Sequence, residues 1–177
     1  ELSEEKLTSL QADDANEIAY QKALHFLSFR PRSSTEVRQN LTKRGVPEAL
    51  VDETMNRLQR AGLVNDLEFA RAWVENRNTF QPRGKSALRM ELRRKGLSDE
   101  ILQTVLDEQV DEEALVFKTA RKYARRLAGL EWLEFRQKLS GFLARRGFSY
   151  TTLSPVVSEV WKESRTADDG ESLDDKD

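Results

Sequence analysis

Lys85, Arg89 and Arg93 stand four residues apart, so on a helix they share one face and form a row of positive charge. The chemistry open to such a row is recognition of a partner that carries phosphates or carboxylates. Arg83 lies just ahead of it, and Leu88 and Leu92 form an apolar seam one step round the same helix, within residues 82–97. The row adds charge along the body of the helix, where no helix dipole favours it. Three basic pairs differ in this respect: Lys43 and Arg44, Arg94 and Lys95, Arg145 and Arg146 each stand just before a glycine, at 45, 96 and 147. Cations at a helix C-terminus gain roughly 0.3–1 kcal/mol each from its dipole and free carbonyls. The pairs therefore have a structural reading beside a binding one. With Arg38 on the first of these helices, they complete the set of candidate contacts to a polyanionic partner.

Catalysis has little to work with. The chain has one histidine, His25, and no cysteine, which excludes disulfides, thiolate metal sites and any histidine pair. His25 stands between Leu24 and Phe26, positions expected in the core, and so reads as structural. Carboxylates such as Glu91, beside Arg94 and Lys95, read as solvated ion pairs of little individual worth. No glycine cluster or phosphate loop with lysine is present. No enzyme activity, metal or cofactor is expected. Trp73, Trp132 and Trp161 could stack on the bases of a single strand, but each lies on an apolar helical stripe and fits a core or inter-unit role better.

The elements that position the basic residues repeat. Gly45, Gly96 and Gly147 are spaced by 51 residues, and the same step relates Pro31 to Pro82, Val37 to Leu88 and Leu139, and Val51 to Leu102 and Leu153. A step kept by turn and core positions together indicates three copies of one supersecondary unit. Residues 18–28 carry helical apolar spacing. Ser33 with Glu36 forms a capping box for a helix ending at Gly45, and Pro47 opens a third helix that ends near Gly62. The second copy starts at Asn65 or Asp66, takes residues 82–97 as its middle helix, and caps its last helix with Ser98. The third starts near Asp111, with helices over 132–146 and 150–161. No alternating strand pattern occurs. The expected fold is all-α: three tandem three-helix repeats over 18–62, 63–109 and 110–163, forming an elongated array, straight or curved. An acidic lead over 1–17, frayed or partly helical up to about Asp14, precedes it and an acidic, disordered tail over 164–177 follows.

The net charge of -2 conceals an asymmetry. Residues 1–17 hold six acids and one lysine, and residues 163–177 hold seven acids and two bases; the body between them has 26 bases against 18 acids. A basic body between acidic ends suits a polyanionic partner, and the ends could cover it in cis. No apolar run reaches the roughly eighteen residues of a membrane span and no signal peptide is evident, so a cytoplasmic protein is expected.

These residues resemble the bacterial RecX regulators of the RecA recombinase. The resemblance covers residues 18–162. It rests on Arg30, Pro31, Arg32, Ser33 running to Leu41 and Gly45; on Gly62, Leu63, Val64, Asn65, Asp66 followed by Phe69, Ala70, Arg71, Ala72, Trp73; and on Leu88, Arg89, Glu91, Leu92, Lys95, Gly96. The chain departs from the family pattern in a longer loop over 81–86. The resemblance implies tandem three-helix modules that lie in the groove of a RecA filament on single-stranded DNA and inhibit its recombinase, ATPase and coprotease activities; a monomer is expected. That would place the protein in DNA repair, recombination and the SOS response. A general nucleic-acid-binding helical protein without a RecA role is the alternative.

Overall fold

A computed structural model of the chain describes residues 3–171. Among the described residues it has nine α-helices, one 3-10 turn and no strand: α1 Glu4–Leu27, α2 Ser34–Lys43, α3 Glu48–Arg60, α4 Asp66–Phe80, α5 Lys85–Arg94, α6 Asp99–Gln109, α7 Glu112–Ala124, the turn Arg125–Leu127, α8 Trp132–Arg145 and α9 Tyr150–Glu171. The helices follow in threes as the spacing predicts. Equivalent positions of the middle helices are treated alike, since Val37, Leu88 and Leu139 are all 0 % exposed, as are Leu41, Leu92 and Leu143. Local chemistry sets the boundaries. The Ser33 hydroxyl accepts from the Glu36 N–H at 3.2 Å while the Glu36 carboxylate accepts from the Ser33 N–H at 3.0 Å, the expected capping box.

The chain packs as two compact units, one formed by residues up to 72 with 92–102, the other by 73–91 with residues from 103 onward. The division therefore runs through the middle three helices. In the first unit, Ala19 and Ala23 of α1 meet Val37 and Leu41 of α2 and Val51, Met55 and Leu58 of α3, closed by Val46 and Val64. In the second, Val116 and Ala120 of α7 pack with Phe135, Leu139 and Leu143 of α8 and with Leu153, Val156, Val157 and Val160 of α9.

Both ends are more helical than the apolar spacing suggests. α1 starts at Glu4, not near residue 18, and runs 24 residues. Ser3 caps it, accepting from the Lys6 N–H at 3.4 Å, and Glu4 and Glu5 favour the positive end of the dipole. Leu7 and Leu10 are 45 % and 52 % exposed, so this first half forms on propensity and capping without a core. α9 continues past Trp161 to Glu171. Arg121 on α7 grips Glu163 through two bonds, at 2.8 and 2.9 Å, and the Arg165 guanidinium lies 4.4 Å from the Trp161 ring centroid, which hold the added turns. Residues 164–171 are thus helical where the acidic composition predicts a disordered tail, and 172–177 lie outside the described residues.

Two joints repeat with the 51-residue step. In the first unit, the Ser33 hydroxyl ahead of α2 donates to the Lys95 carbonyl at 2.7 Å, and the Thr35 hydroxyl donates to the Gly96 carbonyl at 3.2 Å. In the second, the Gly84 N–H ahead of α5 donates to the Arg146 carbonyl at 2.8 Å. Ser33 and Gly84 are equivalent positions, as are Lys95 and Arg146. The start of one middle helix thus seats on the glycine turn that ends the next.

Glu36 ties its joint together. Its carboxylate meets Arg30 at 2.8 Å and Lys95 at 3.0 Å, and its side chain is only 16 % exposed. Burial opposes its charge, but Arg30, the Ser33 N–H and Lys95 outweigh burial and lower its pKa from an ordinary 4.5 to about 2. A depressed carboxylate contributes stability that is complete above its unfolded pKa and is lost as pH falls through its folded one. The expected result for Glu36→Gln is therefore a loss of about 1–3 kcal/mol at neutral pH, discounted for the part-exposed Arg30, that vanishes between about pH 4.5 and pH 2. Urea unfolding of both proteins across that range checks it; parallel curves at all pH values would refute it.

Candidate functional site

The cation row is exposed in part but is not free. Lys85 Nζ lies 3.4 Å from Asp107 Oδ1, Arg89 donates to the Gln103 amide oxygen at 3.2 Å, and Arg93 meets Asp99 at 3.0 Å. Every member thus has a partner on α6. In the first module Arg38 meets Asp52 at 2.6 Å; these are the positions equivalent to Arg89 and Gln103. The row fastens the middle helix of a module to its last helix, with each exposed pair contributing about 0–1 kcal/mol. Asp107 is in consequence a stronger acid than usual, through Gln103 first and then Lys85.

Arg83 belongs to a different network. Its Nε lies 3.1 Å from Glu91 Oε1, close enough to pair but not angled as a hydrogen bond. The other Glu91 oxygen accepts from the Trp73 indole N–H at 2.8 Å and from Arg77 Nε at 3.0 Å. Glu91 is 16 % exposed, so it is not the solvated partner of Arg94 and Lys95 that helical spacing suggests; it accepts from Trp73 and Arg77 and faces the charge of Arg83. Glu91→Ala leaves two part-buried guanidinium groups without their counter-charge and is expected to destabilise the second unit by about 2–4 kcal/mol. Thermal unfolding measures it, with Glu91→Gln expected to lose less because the indole keeps an acceptor.

The basic pairs divide. Lys95 is engaged with Glu36, and Lys95 and Arg146 both give their carbonyls to the joints. The Arg146 guanidinium lies 5.0 Å from the Phe142 ring centroid. Lys43, Arg44, Arg94 and Arg145 are exposed and, among the described residues, have no ion pair or side-chain hydrogen bond. Of the eleven candidate cations these four hold charge that no internal partner reduces.

The tryptophans are taken up inside the fold, two by packing and one by an internal hydrogen bond. Trp132 and Trp161 pack on the second unit's core, their rings 5.5 Å apart, and Trp73 is half-buried over Glu91. His25, read as structural from its place between Leu24 and Phe26, is exposed on α1 and meets the exposed Phe29 edge-on at 5.0 Å; the apolar face of α1 passes through Ala19 and Ala23. Among the described residues no group of three or more acids or histidines is placed to hold a metal ion, and no helix is long and apolar enough to cross a membrane.

A basic cleft in the second unit has no counterpart in the sequence reading. It is lined by Tyr123, Arg126, Leu127, Gln137, Lys138 and Arg145, of which only Arg145 is a candidate on spacing. Arg126 sits in a 3-10 turn, and a 51-residue step from Arg126 and Lys138 reaches Glu75 and Ala87, so the repeat carries no signal for them.

Comparison with known proteins agrees with this architecture module by module. Models of the first, second and third three-helix domains of RecX match residues 19–58, 65–106 and 111–156. The regulatory protein RecX of Amycolatopsis mediterranei is 37 % identical over 149 residues, which cover 81 % of this chain and 85 % of that protein. That of Bacillus pumilus is 31 % identical over 175 residues, 98 % of this chain but 66 % of the relative, so the chain spans just under two thirds of that protein's length. The crystal structure of RecX from Lactobacillus salivarius superposes with a TM-score of 0.76 at 25 % identity, over 84 % of this chain and 97 % of that one.

Proposed function

Because the chain belongs to the RecX family of regulatory proteins, we propose that it regulates the RecA recombinase, binding the RecA filament on single-stranded DNA and lowering its recombinase, ATPase and coprotease activities. It does so without catalysing a reaction, as a cytoplasmic monomer serving DNA repair, recombination and the SOS response. The observation that carries this reading is the register between three family domains and three helical modules. A basic body supports it, because a nucleoprotein filament presents phosphates and acidic side chains in a regular array.

Within the proposed contact surface the unpaired cations lead. Lys43, Arg44, Arg94 and Arg145 approach the filament with full charge, whereas Arg38, Arg83, Lys85, Arg89, Arg93, Lys95 and Arg146 act first as fasteners of the fold and second as contacts. The test is ATP hydrolysis by RecA on single-stranded DNA, titrated with the purified chain. Inhibition at substoichiometric ratios is expected, and an unchanged rate at every ratio would sink the reading. Tight binding to DNA with no effect on RecA would point instead to a general nucleic-acid-binding protein.

A further inference from the structure

We propose that the cleft between the end of α7 and α8 in the second unit seats a backbone phosphate of a single-stranded nucleic acid, with the adjoining base against Tyr123. This deepens the regulatory reading and rests on it only in that a recombinase filament carries such a strand. The cleft is a shallow groove open to solvent, with room of about 530 Å³, a form that suits an extended strand laid along it. Its lining holds three bases, Arg126, Lys138 and Arg145, and no acid. Lys138 is paired with Glu134 at 3.0 Å, while Arg126 and Arg145 are exposed and without an ion pair among the described residues. Two unengaged guanidinium forks facing one cleft match the oxygens of a phosphodiester, and the Gln137 amide adds a neutral donor of the kind that accompanies arginine on nucleic-acid backbones.

Tyr123 makes a nucleic acid fit better than an acidic peptide. Its ring lies flat on Phe142, centroids 3.9 Å apart and planes within 4°, and the Arg146 guanidinium packs on Phe142 in turn. Tyr123 is half-buried and lines the cleft, so an entering group meets a ring that is already fixed. A base has a flat face for such a ring, and an aspartate or glutamate side chain has none. Gly141 helps to place Arg145: a side chain built there would lie 3.1 Å from Arg145 Nη1, so the guanidinium folds closely along α8.

The test uses the full chain and a fluorescein-labelled oligothymidylate, read by fluorescence anisotropy over a range of salt. Arg126→Gln with Arg145→Gln should weaken binding at least tenfold at low salt and lower the log–log salt slope by about 1.4, roughly 0.7 for each phosphate no longer neutralised. Lys118→Gln with Lys162→Gln removes the same charge from exposed positions outside the cleft and should change affinity less than about threefold. Wild-type affinity and slope in the cleft variant would overturn the proposal. So would displacement of the oligonucleotide by polyglutamate at equal charge, which would mark the cleft as a site for acidic polypeptide. RecA ATPase assays on the same proteins separate the two readings. If the unmutated chain leaves RecA untouched, the regulatory reading fails while the oligonucleotide result stands; if it inhibits RecA but the cleft variant binds DNA normally, the cleft alone fails.

Discussion

Gly147→Ala is expected to destabilise the second unit by about 3 kcal/mol or more, whereas Gly45→Ala should cost the first unit only about 1 kcal/mol. Both glycines end a middle helix at positive φ, 91° and 82° respectively, where an L side chain is disfavoured by about 1–2 kcal/mol. Their surroundings differ. A side chain at Gly45 would meet nothing within 4 Å. At Gly147 it would overlap the Ala87 side chain and approach the Ala87 backbone N to 2.7 Å, and backbone cannot swing aside as a long side chain can. Gly84, across the same joint, separates the two effects. Its φ is not positive, yet an added side chain would run into the Gly147 carbonyl and come within 2.8 Å of Phe148 N. Gly84→Ala should therefore be severe through overlap alone, Gly45→Ala mild through φ alone, and Gly147→Ala the worst of the three. Chemical denaturation of the three variants measures this order. Equal losses at Gly45 and Gly147 would mean that the joint contributes nothing to the second unit.

That contrast also marks how far the sequence can be read. The 51-residue step locates the middle helices, their buried positions and their terminal glycines because each is a local pattern copied three times. It cannot show that Gly96 and Gly147 are docking positions and Gly45 is not, since all three satisfy the same local rule for ending a helix. The partners lie 62 residues away, as Ser33 does from Lys95, beyond any pattern of helical period. The cation row is legible as a row but not as a set of fasteners. Its partners on α6 have the mirror spacing, Asp99, Gln103 and Asp107, and become partners only when the two helices pack. Glu91 misleads for a related reason. Arg94 and Lys95 stand three and four residues on, the spacing of helical neighbours, yet the carboxylate is taken up by Trp73 and Arg77 of α4 and by Arg83, while Lys95 pairs with Glu36. The helical ends escape detection because a helix held by capping and propensity leaves no apolar stripe.

Reversing the unpaired cations of the first unit, Lys43→Glu, Arg44→Glu and Arg94→Glu together, is expected to weaken inhibition of RecA at least tenfold while lowering the melting temperature by a few degrees, the chain staying folded. The second half of that expectation follows from the fold: none of the three side chains has an ion pair or side-chain hydrogen bond to lose among the described residues, so the cost is the helix-end interaction, roughly 0.3–1 kcal/mol for each cation and somewhat more on reversal. The first half follows from the proposed filament contact, where losing about 1.4 kcal/mol of binding is already a tenfold effect and three reversals each replace attraction by repulsion. The opposed variant, Lys85→Gln, Arg89→Gln and Arg93→Gln, should keep most of its potency. It breaks three pairs with α6 and lowers the melting temperature, while potency falls by less than about threefold because Asp107 and Asp99 already offset part of that charge. Potency is read as the concentration of chain that halves RecA's DNA-dependent ATP hydrolysis, at two salt concentrations so that a purely electrostatic loss shows itself by its salt dependence. Full inhibition by the Lys43, Arg44 and Arg94 variant, with loss of inhibition by the row variant at temperatures where it stays folded, would return the contact surface to the row.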